Sequence, residues 1–422
     1  MKISVIGCGY VGTVTGVCFA DFGHDIVFYD IDTKKLDLLS RGESPIYEPS
    51  LDDLIQRNRE RLATTSDLTA AVRDTDITFI CVGTPSRDDG SIDLTYVLSA
   101  SATIGKALRE TPDFHPVIVK STVFPGSTEG PVRSVLEQES GKQAFVEFGL
   151  GSNPEFLREG NAIHDFCVPD RIVLGTGDAR TMRALRDLYA PFTCPKVETS
   201  IRTAEMIKYA SNAFLATKIS FANEIGNLAK KLGIDAEEVF AGVGLDSRIG
   251  PAFFRTGIGF GGSCFPKDVR ALIAGARDHG EELQVLHAAL RVNEDQPLKL
   301  VRLLQAHIPD LEGRRIGVLG LAFKPNTDDV RESRAIPVIR ALLDAGAEVI
   351  AYDPLAMENF ATLFPEIEYA SSAEAVLAAD AVLITTEWEE FERLNYSGKT
   401  VIDGRRVAAA SRTAEVYEGV CW

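Results

Sequence analysis

The chain has none of the features that mark a disulfide-built, metal-built or membrane-built protein. Its seven cysteines (Cys8, Cys18, Cys81, Cys167, Cys194, Cys264 and Cys421) are odd in number and widely spaced, with no C-x-x-C pair. A disulfide framework and a structural zinc site are therefore excluded as organising devices, and no metal is expected. No apolar run reaches bilayer-spanning length. The first residues enter a strand pattern directly, without the basic and apolar regions of a leader, so a cytoplasmic protein is expected. Positive charge is also scarce: 44 Lys and Arg against 61 Asp and Glu leave a net charge of −17. That balance argues against a nucleic-acid backbone or an anionic membrane as partner, though a local basic pocket could still hold a phosphate. Low-complexity segments and short-period repeats are missing.

What remains is a soluble globular chain of 422 residues, 45% hydrophobic and 25% charged, long enough for two or three domains. Lys2–Ile6 reads as a short buried strand and runs into Gly7-Cys8-Gly9-Tyr10-Val11-Gly12. A helical pattern follows to about Phe22, then a second strand from His24 to Tyr29 that ends at Asp30. Strand, glycine turn, helix, strand and acid together make a dinucleotide fingerprint. Gly7 permits the tight turn, Gly9 the approach of a pyrophosphate, and Gly12 close packing of helix on strand. Asp30 would accept from ribose hydroxyls and repel a 2′-phosphate, which favours NAD over NADP. Strands are expected at Asp76–Val82, Val117–Lys120 and Phe145–Leu150. The first is followed by Gly83-Thr84-Pro85 and the second by Ser121-Thr122-Val123. Ligands sit at the carboxyl ends of parallel strands, so these loops belong near the cofactor. The third strand leads into Asn153-Pro154-Glu155-Phe156-Leu157-Arg158-Glu159-Gly160, where either carboxylate could act as general base or hold a water.

From Thr203 to Leu232 the pattern is one long helix, apolar over much of its circumference, as in a buried connector or a dimer interface. Lys208 and Asn212 share a face of it. Asp235 is the expected N-cap of a following helix. The most telling stretch is Gly257 to Asp268, with four glycines in six residues followed by Ser263, Cys264, Phe265, Pro266 and Lys267. The glycines let a backbone approach a ligand, and Pro266 suits the first turn of a helix. Cys264 then precedes a helix N-terminus, where the dipole favours a thiolate. A cysteine by itself is more often inert packing; the loop, the proline and Asp268 make a nucleophile the better reading. Further helices are expected from Val269 to His279 and from Leu283 to a linker near Gln296-Pro297. The last third alternates strands (Arg315–Leu319, Glu348–Tyr352, Ala381–Thr385, Thr400–Ile402) with a helix from about Ser333 to Gly346. It lacks a full G-x-G-x-x-G, so it is expected to bind something other than a second dinucleotide. Lys324, Arg331, Arg334 and Arg405 form a candidate phosphate site there. The tail after Val407 carries no signal.

Seven motifs in order, GCGYVG from Gly7, VGTP from Val82, KSTV from Lys120, NPEFLREG from Asn153, AEMIKYASNAFLATKISFANEI from Ala204, GIGFGGSCFPKD from Gly257 and FKPNTDDVRES from Phe323, resemble the UDP-glucose/GDP-mannose dehydrogenase family over nearly the whole chain. The resemblance implies an α/β fold of two Rossmann-like doubly wound domains joined by a long-helix central domain. The implied boundaries are 1–198 for an NAD domain, 199–298 for a connector and dimerisation domain, and 299–422 for a UDP-sugar domain. It implies Cys264 as nucleophile and Lys208 and Asn212 as oxyanion stabilisers. Thr122 and Asp268 would order a water, and Glu159, with Glu155 beside it, would assist thioester hydrolysis. NAD would contact Gly7, Gly9, Tyr10, Val11, Gly12, Asp30, Lys35, Gly83, Thr84, Pro85, Ser121, Thr122, Glu159, Lys267 and Arg331. UDP-glucose would contact Glu155, Phe156, Leu157, Arg158, Lys208, Asn212, Phe253, Gly257, Gly259, Phe260, Gly261, Cys264, Phe323, Lys324 and Arg405, with Arg248 from the partner subunit of a homodimer. The implied reaction is a four-electron oxidation releasing two NADH. Rivals are the same chemistry on GDP-mannose or a UDP-N-acetylhexosamine, an ordinary two-electron 3-hydroxyacid dehydrogenase, and a nucleotide-sensing protein that kept the fold.

Overall fold

Lys2–Ile6 forms β1, the strand on which the N-terminal sheet is centred. In the computed structural model, which describes all 422 residues, contacts divide the chain into two units, Met1–Ser211 and Asn212–Trp422. In the first, β1 is joined by β2 (Asp25–Tyr29), β3 (Leu62–Thr65), β4 (Ile77–Ile80), β5 (Pro116–Val119), β6 (Gly149–Ser152), β7 (Ile172–Thr176) and β8 (Lys196–Thr199). Their order across the sheet is 3-2-1-4-5-6-7-8, and every pair is parallel except β6 with β7. The first six strands thus follow the doubly wound dinucleotide-binding order. Both faces are covered, so the central strands read as continuous apolar runs. Ile3, Val5, Ile77 and Phe79 enter the core on one face, Ile6 and Ile80 that on the other. On the first of these faces lies α1 (Tyr10–Asp21), whose Phe19 is fully buried against the rings of Phe79, Phe166 and Tyr189. Removing that ring would cost about 3–5 kcal/mol.

One expected strand is displaced. The stretch Phe145–Leu150 is not a strand throughout; β6 begins at Gly149, and Phe145 turns the chain with φ +68°. Its apolar character comes from packing against the core, with Arg133 over the Phe145 ring, rather than from strand pairing.

The boundary between the units falls within α2 (Ile201–Lys231), the long helix read from its periodicity. In the second unit α3 (Ala236–Gly244) is capped by the Asp235 side chain, which accepts from the Glu237 N–H. It is followed by α4 (Phe265–Asp278) and α5 (Gln284–His307). The expected linker at Gln296-Pro297 does not exist: α5 runs straight through both residues, which are buried. Proline in a helix interior removes one hydrogen bond to the carbonyl four residues back, here Asn293. That carbonyl faces the glycine loop, where a Cβ on Gly259 would come within 3.3 Å of its oxygen.

The second sheet holds β9 (Arg315–Leu319), β10 (Glu348–Tyr352), β11 (Glu368–Tyr369), β12 (Ala381–Ile384), β13 (Thr400–Asp403) and β14 (Val416–Gly419). Its order, 11-10-9-12-13-14, repeats the first six strands of the N-terminal sheet, all parallel. A helix, α6 (Ala335–Asp344), packs on it through Val338, Ile339 and Leu342. The tail without a sequence signal supplies β14, which completes the sheet edge. No helix is long and apolar enough to cross a membrane.

Candidate active site

The first unit presents a dinucleotide cradle. Gly7 turns with φ +103°, and a Cβ on Gly12 would sit 1.8 Å from the Gly7 carbonyl oxygen, so no side chain fits there. A Cβ on Gly9 would meet nothing within 4 Å, which leaves the turn open to a ligand. The first turn of α1 carries no acidic residue, and Gly9 caps it without a side-chain hydrogen bond, so its N–H groups suit an anion such as a pyrophosphate. Asp30 ends β2 and is buried; its two carboxylate oxygens accept from the backbone N–H of Cys8 (2.6 Å) and of Asp32 (2.9 Å). Two acceptor positions remain, matching the hydroxyls of an unphosphorylated ribose. Lys35 is close enough for its charge to oppose the burial and the Asp30 charge that push the Cys8 thiol up. These residues fit NAD. At the neighbouring strand ends Thr84 and Ser121 are buried, Thr122 is half-buried, and Gly83 and Pro85 are exposed. Ser121 donates to the Val82 carbonyl (2.7 Å), tying the two loops together.

After β6 the chain delivers Glu155 into the interior, where its Oε1 meets Lys208 Nζ at 2.9 Å. Both are almost fully buried, and each would be costly there alone. Burial pushes the Glu155 carboxyl up, but the charge and hydrogen bond of Lys208, the Leu157 N–H and Lys120 outweigh it and hold the group below its ordinary value. Glu155 is therefore an acceptor that fixes a cation. Phe156 lies beneath Arg171, whose guanidinium carbon is 3.7 Å from the ring centroid, with Lys208 5.4 Å from the same ring. Arg158 turns outward and pairs with Asp165 at 2.6 Å. Glu159 is half-buried in the turn that follows.

Sequence reasoning did not find the residues that brace this loop. Glu48 accepts from the N–H groups of Gly160 (2.6 Å) and Ala162 (2.7 Å) and from the Tyr10 hydroxyl, tying the loop to the first turn of α1. Glu48 lies in an irregular stretch with no periodic signal. Lys120 is buried against the Asn153 side chain (3.0 Å), and burial lowers its pKa to about 8. Its signals were its place at a strand end and at the head of the KSTV motif, and neither shows its burial or its partner. Glu205, on α2, is buried and accepts from the N–H groups of Gly126 (2.6 Å) and Thr128 (3.0 Å) in the loop that carries Thr122. Burial raises its carboxyl to about 7.

In the second unit Cys264 is the N-cap residue of α4, with Pro266 in the first turn. The helix starts at Phe265 rather than Val269, because Cys264 O already accepts from the Asp268 N–H at 2.8 Å. Asp268 is 1% exposed and held from both sides: Asn212 Nδ2 donates to one oxygen and Lys267 Nζ to the other, each at 2.6 Å. The Ser263 hydroxyl is 3.6 Å from the Cys264 sulfur. Phe253 adopts φ +67°, a strained conformation for an aromatic residue, and packs its ring against Phe265.

The glycine loop is closed in by backbone. A Cβ on Gly257 would come within 2.5 Å of the Gly404 oxygen, on Gly261 within 2.2 Å of the Glu332 oxygen, and on Gly262 within 2.7 Å of the Phe323 ring. Arg405, next to Gly404, also faces Gly257; burial lowers its pKa, while the Glu387 carboxylate opposes that. Lys324 follows Phe323 and stands 5.6 Å over its ring. Of the expected basic cluster, Arg334 and Arg405 lie near enough for their charges to oppose each other. Arg334 is buried on the Glu332 carbonyl, Arg331 pairs with Asp329 at 2.7 Å, and Arg406 pairs with Asp235 and Glu237. Arg248 is exposed and pairs with Asp246 in its own turn.

Three family models match in chain order: the NAD binding, central and UDP binding domains of the UDP-glucose/GDP-mannose dehydrogenase family, over residues 1–193, 202–295 and 317–410. A UDP-glucose 6-dehydrogenase of Haloferax volcanii is 49% identical, across 96% of this chain and 97% of that protein. A GDP-mannose 6-dehydrogenase of Pseudomonas aeruginosa is 38% identical across the whole of both. A solved UDP-glucose dehydrogenase from Pyrobaculum islandicum superposes with a TM-score of 0.97 at 49% identity, covering 100% of this chain and 98% of that one. With a dinucleotide cradle, a cysteine at a helix start and a second sheet of the same order, the chain belongs to the UDP-glucose/GDP-mannose dehydrogenase family.

Proposed function

We propose that the protein oxidises UDP-glucose to UDP-glucuronate with NAD, in two hydride transfers that pass through a covalent intermediate on Cys264. The observation that carries this reading is Cys264 itself, at the start of α4 directly after the glycine loop, with Asp268 held one turn on by Asn212 and Lys267. A two-electron dehydrogenase needs no such cysteine. The greater identity to the UDP-glucose enzyme than to the GDP-mannose enzyme supports glucose as the sugar.

NAD, when bound, accepts the hydride. This chain's residues do the rest. The first transfer leaves an aldehyde, to which the Cys264 thiolate adds, forming a C–S bond and an oxyanion. Lys208 and Asn212, one turn apart on α2, donate to that oxyanion. The Glu155 carboxylate keeps Lys208 buried, charged and aimed. Loss of the second hydride turns the adduct into a thioester. Water, ordered by Thr122 and Asp268 and assisted by Glu159, then breaks the C–S bond and returns the thiolate. Asp30, Lys35 and the Gly7–Gly12 turn hold the adenosine end of the cofactor, with Lys267 and Arg331 adding contacts. Phe253, Phe323, Lys324 and Arg405 hold the nucleotide sugar with the Gly257–Gly261 loop.

The proposed domains are those of the sequence expectation, and the proposed assembly is a homodimer. Supporting it, Phe214, Phe221 and Leu228 recur every seven residues on α2 and are 65%, 49% and 54% exposed. Arg248, exposed on its own chain, can serve a partner's nucleotide. The proposed location is the cytoplasm, with the nucleotide-sugar substrate.

The test is the amount of NADH formed per UDP-glucose consumed at limiting sugar. Two are expected, and Cys264→Ser should stop the cycle near the second oxidation. A ratio of one, or a Cys264→Ser variant that forms uronate at the parent rate, overturns the thioester route.

A further inference from the structure

The glycine loop of the second unit has a problem of its own. Four glycines between 257 and 262 give it great conformational freedom, and it joins no sheet. Its buried peptide groups nonetheless need partners. They find them in side-chain carboxamides. Asn293, on α5, accepts from the Phe260 N–H through Oδ1 (2.7 Å) and donates to the Phe260 carbonyl through Nδ2 (3.0 Å). That two-bond ring is what a neighbouring strand would supply. Gln296, one turn further along α5, donates to the Gly257 carbonyl (2.9 Å), and Asn223 on α2 accepts from the Gly257 N–H (2.8 Å). Asn227 fixes Gln296 in turn by donating to its Oε1 at 2.9 Å. Asn223, Asn293 and Gln296 are at most 3% exposed. Asn293 lies so close under Gly259, at φ +94°, that a Cβ there would be 2.4 Å from its Oδ1. The interior proline of α5 follows Gln296 directly and frees the Asn293 carbonyl on the side facing Gly259.

We propose that Asn293, assisted by Gln296 and Asn223, is the positioning residue that holds the Gly257–Gly262 ribbon in the one conformation that receives the sugar nucleotide and presents Cys264. The proposal rests on the reading that this ribbon meets the substrate. These residues hydrogen-bond to the ribbon through its backbone, so they act through the loop and not on the reacting atoms.

The test compares Asn293→Ala, the isosteric Asn293→Asp, which keeps the acceptor for Phe260 N–H and loses the donor, and Gln296→Ala. Three readouts are taken: KM and kcat for UDP-glucose and KM for NAD, the rate of Cys264 alkylation by iodoacetamide across pH with and without UDP-glucose, and the melting temperature. Asn293→Ala should lower kcat/KM for UDP-glucose at least about tenfold and leave the NAD KM within about twofold. It should also shift the Cys264 alkylation profile and weaken its protection by UDP-glucose. Asn293→Asp and Gln296→Ala should show smaller changes of the same kind. A merely structural role would lower the melting temperature and move none of the others. A folded variant at position 293, whether Asn293→Ala or Asn293→Asp, with parental UDP-glucose kinetics and parental Cys264 alkylation overturns the proposal. If the parent oxidises no UDP-glucose, the functional reading fails, and the alkylation profile still decides: unchanged reactivity in the variants overturns the loop-positioning role too.

Discussion

Gly7 and Gly320 occupy the same place in two sheets of the same strand order. Each follows the central strand, each turns with positive φ (+103° and +95°), and each donates its N–H to a tyrosine carbonyl at the end of the neighbouring strand, Tyr29 at 2.7 Å and Tyr352 at 2.8 Å. Each turn also meets an acid, Asp30 or Asp353. There the likeness ends. Asp30 accepts from two backbone N–H groups and keeps acceptor capacity for a ribose. Asp353 accepts from Leu321, Ala322, Leu355 and Ala356 N–H and from the Trp388 indole, all within 3.0 Å, and is fully buried. Five donors saturate a carboxylate, so nothing is left for a ligand. The helices differ as well. Three residues after Gly7, α1 has begun, whereas α6 starts only at Ala335, well after Gly320. A doubly wound sheet thus offers a dinucleotide cradle at its first glycine turn only where the acid stays open and the helix starts at the turn.

The sharpest way to break this comparison is to close the first turn. Gly12→Val places side-chain atoms on the Gly7 carbonyl, and NAD binding by calorimetry should be undetectable, or the protein insoluble. A variant that binds NAD like the parent would show that the turn is not the cradle. Next come the two acids. Asp353→Ala orphans five buried donors and should cost about 3–5 kcal/mol in urea unfolding, with NAD affinity unchanged. Asp30→Ala should cost only about 1–2 kcal/mol but weaken NAD about tenfold and erode its preference over NADP. Equal effects of the two on NAD would erase the distinction between them.

The most gradual effect concerns pH. Each unit has a buried carboxylate that ties down a loop: Glu205 on Gly126 and Thr128, and Asp403 on the N–H groups of Arg405, Arg406 and Val407. Burial raises the first from 4.5 to about 7 and the second from 3.8 to about 6. Between each pair of values the native state binds more protons than the unfolded chain. Stability therefore falls as pH rises, from about 4 to 6 through Asp403 and from about 4.5 to 7 through Glu205, by about 3 kcal/mol for each. Glu205→Gln should flatten the melting-temperature profile between pH 6 and 7 and leave the Asp403 part below 6. An unchanged slope above pH 6 would remove Glu205 as its cause.

Much of the fold was legible because it is local. An apolar run ending in glycine marked β1, and three-to-four periodicity marked α2. Asp235 followed by a helical pattern marked the cap of α3. Pro297 misled, because proline costs a helix one hydrogen bond, and within α5 the residues on either side continue the helix with Gln296 and Pro297 packed in the interior. Phe145 misled because an aromatic that packs beneath a sheet reads the same as one within a strand. The pairing of Arg334 with the carbonyl and carboxylate of Glu332 was not legible, because it lies in a turn that no spacing rule captures.

By itself the sequence determined the cofactor turn, the long helix and a cysteine placed at a helix start, since turn chemistry, periodicity and capping act over a few residues. Only the tertiary structure decided which acid stays open, that Glu155 and Lys208 neutralise each other in the interior, and that Asn293, Gln296 and Asn223 hold the glycine ribbon. Those outcomes depend on desolvation and on hydrogen-bond partners tens of residues apart, which are set when the elements pack and leave no trace in local pattern.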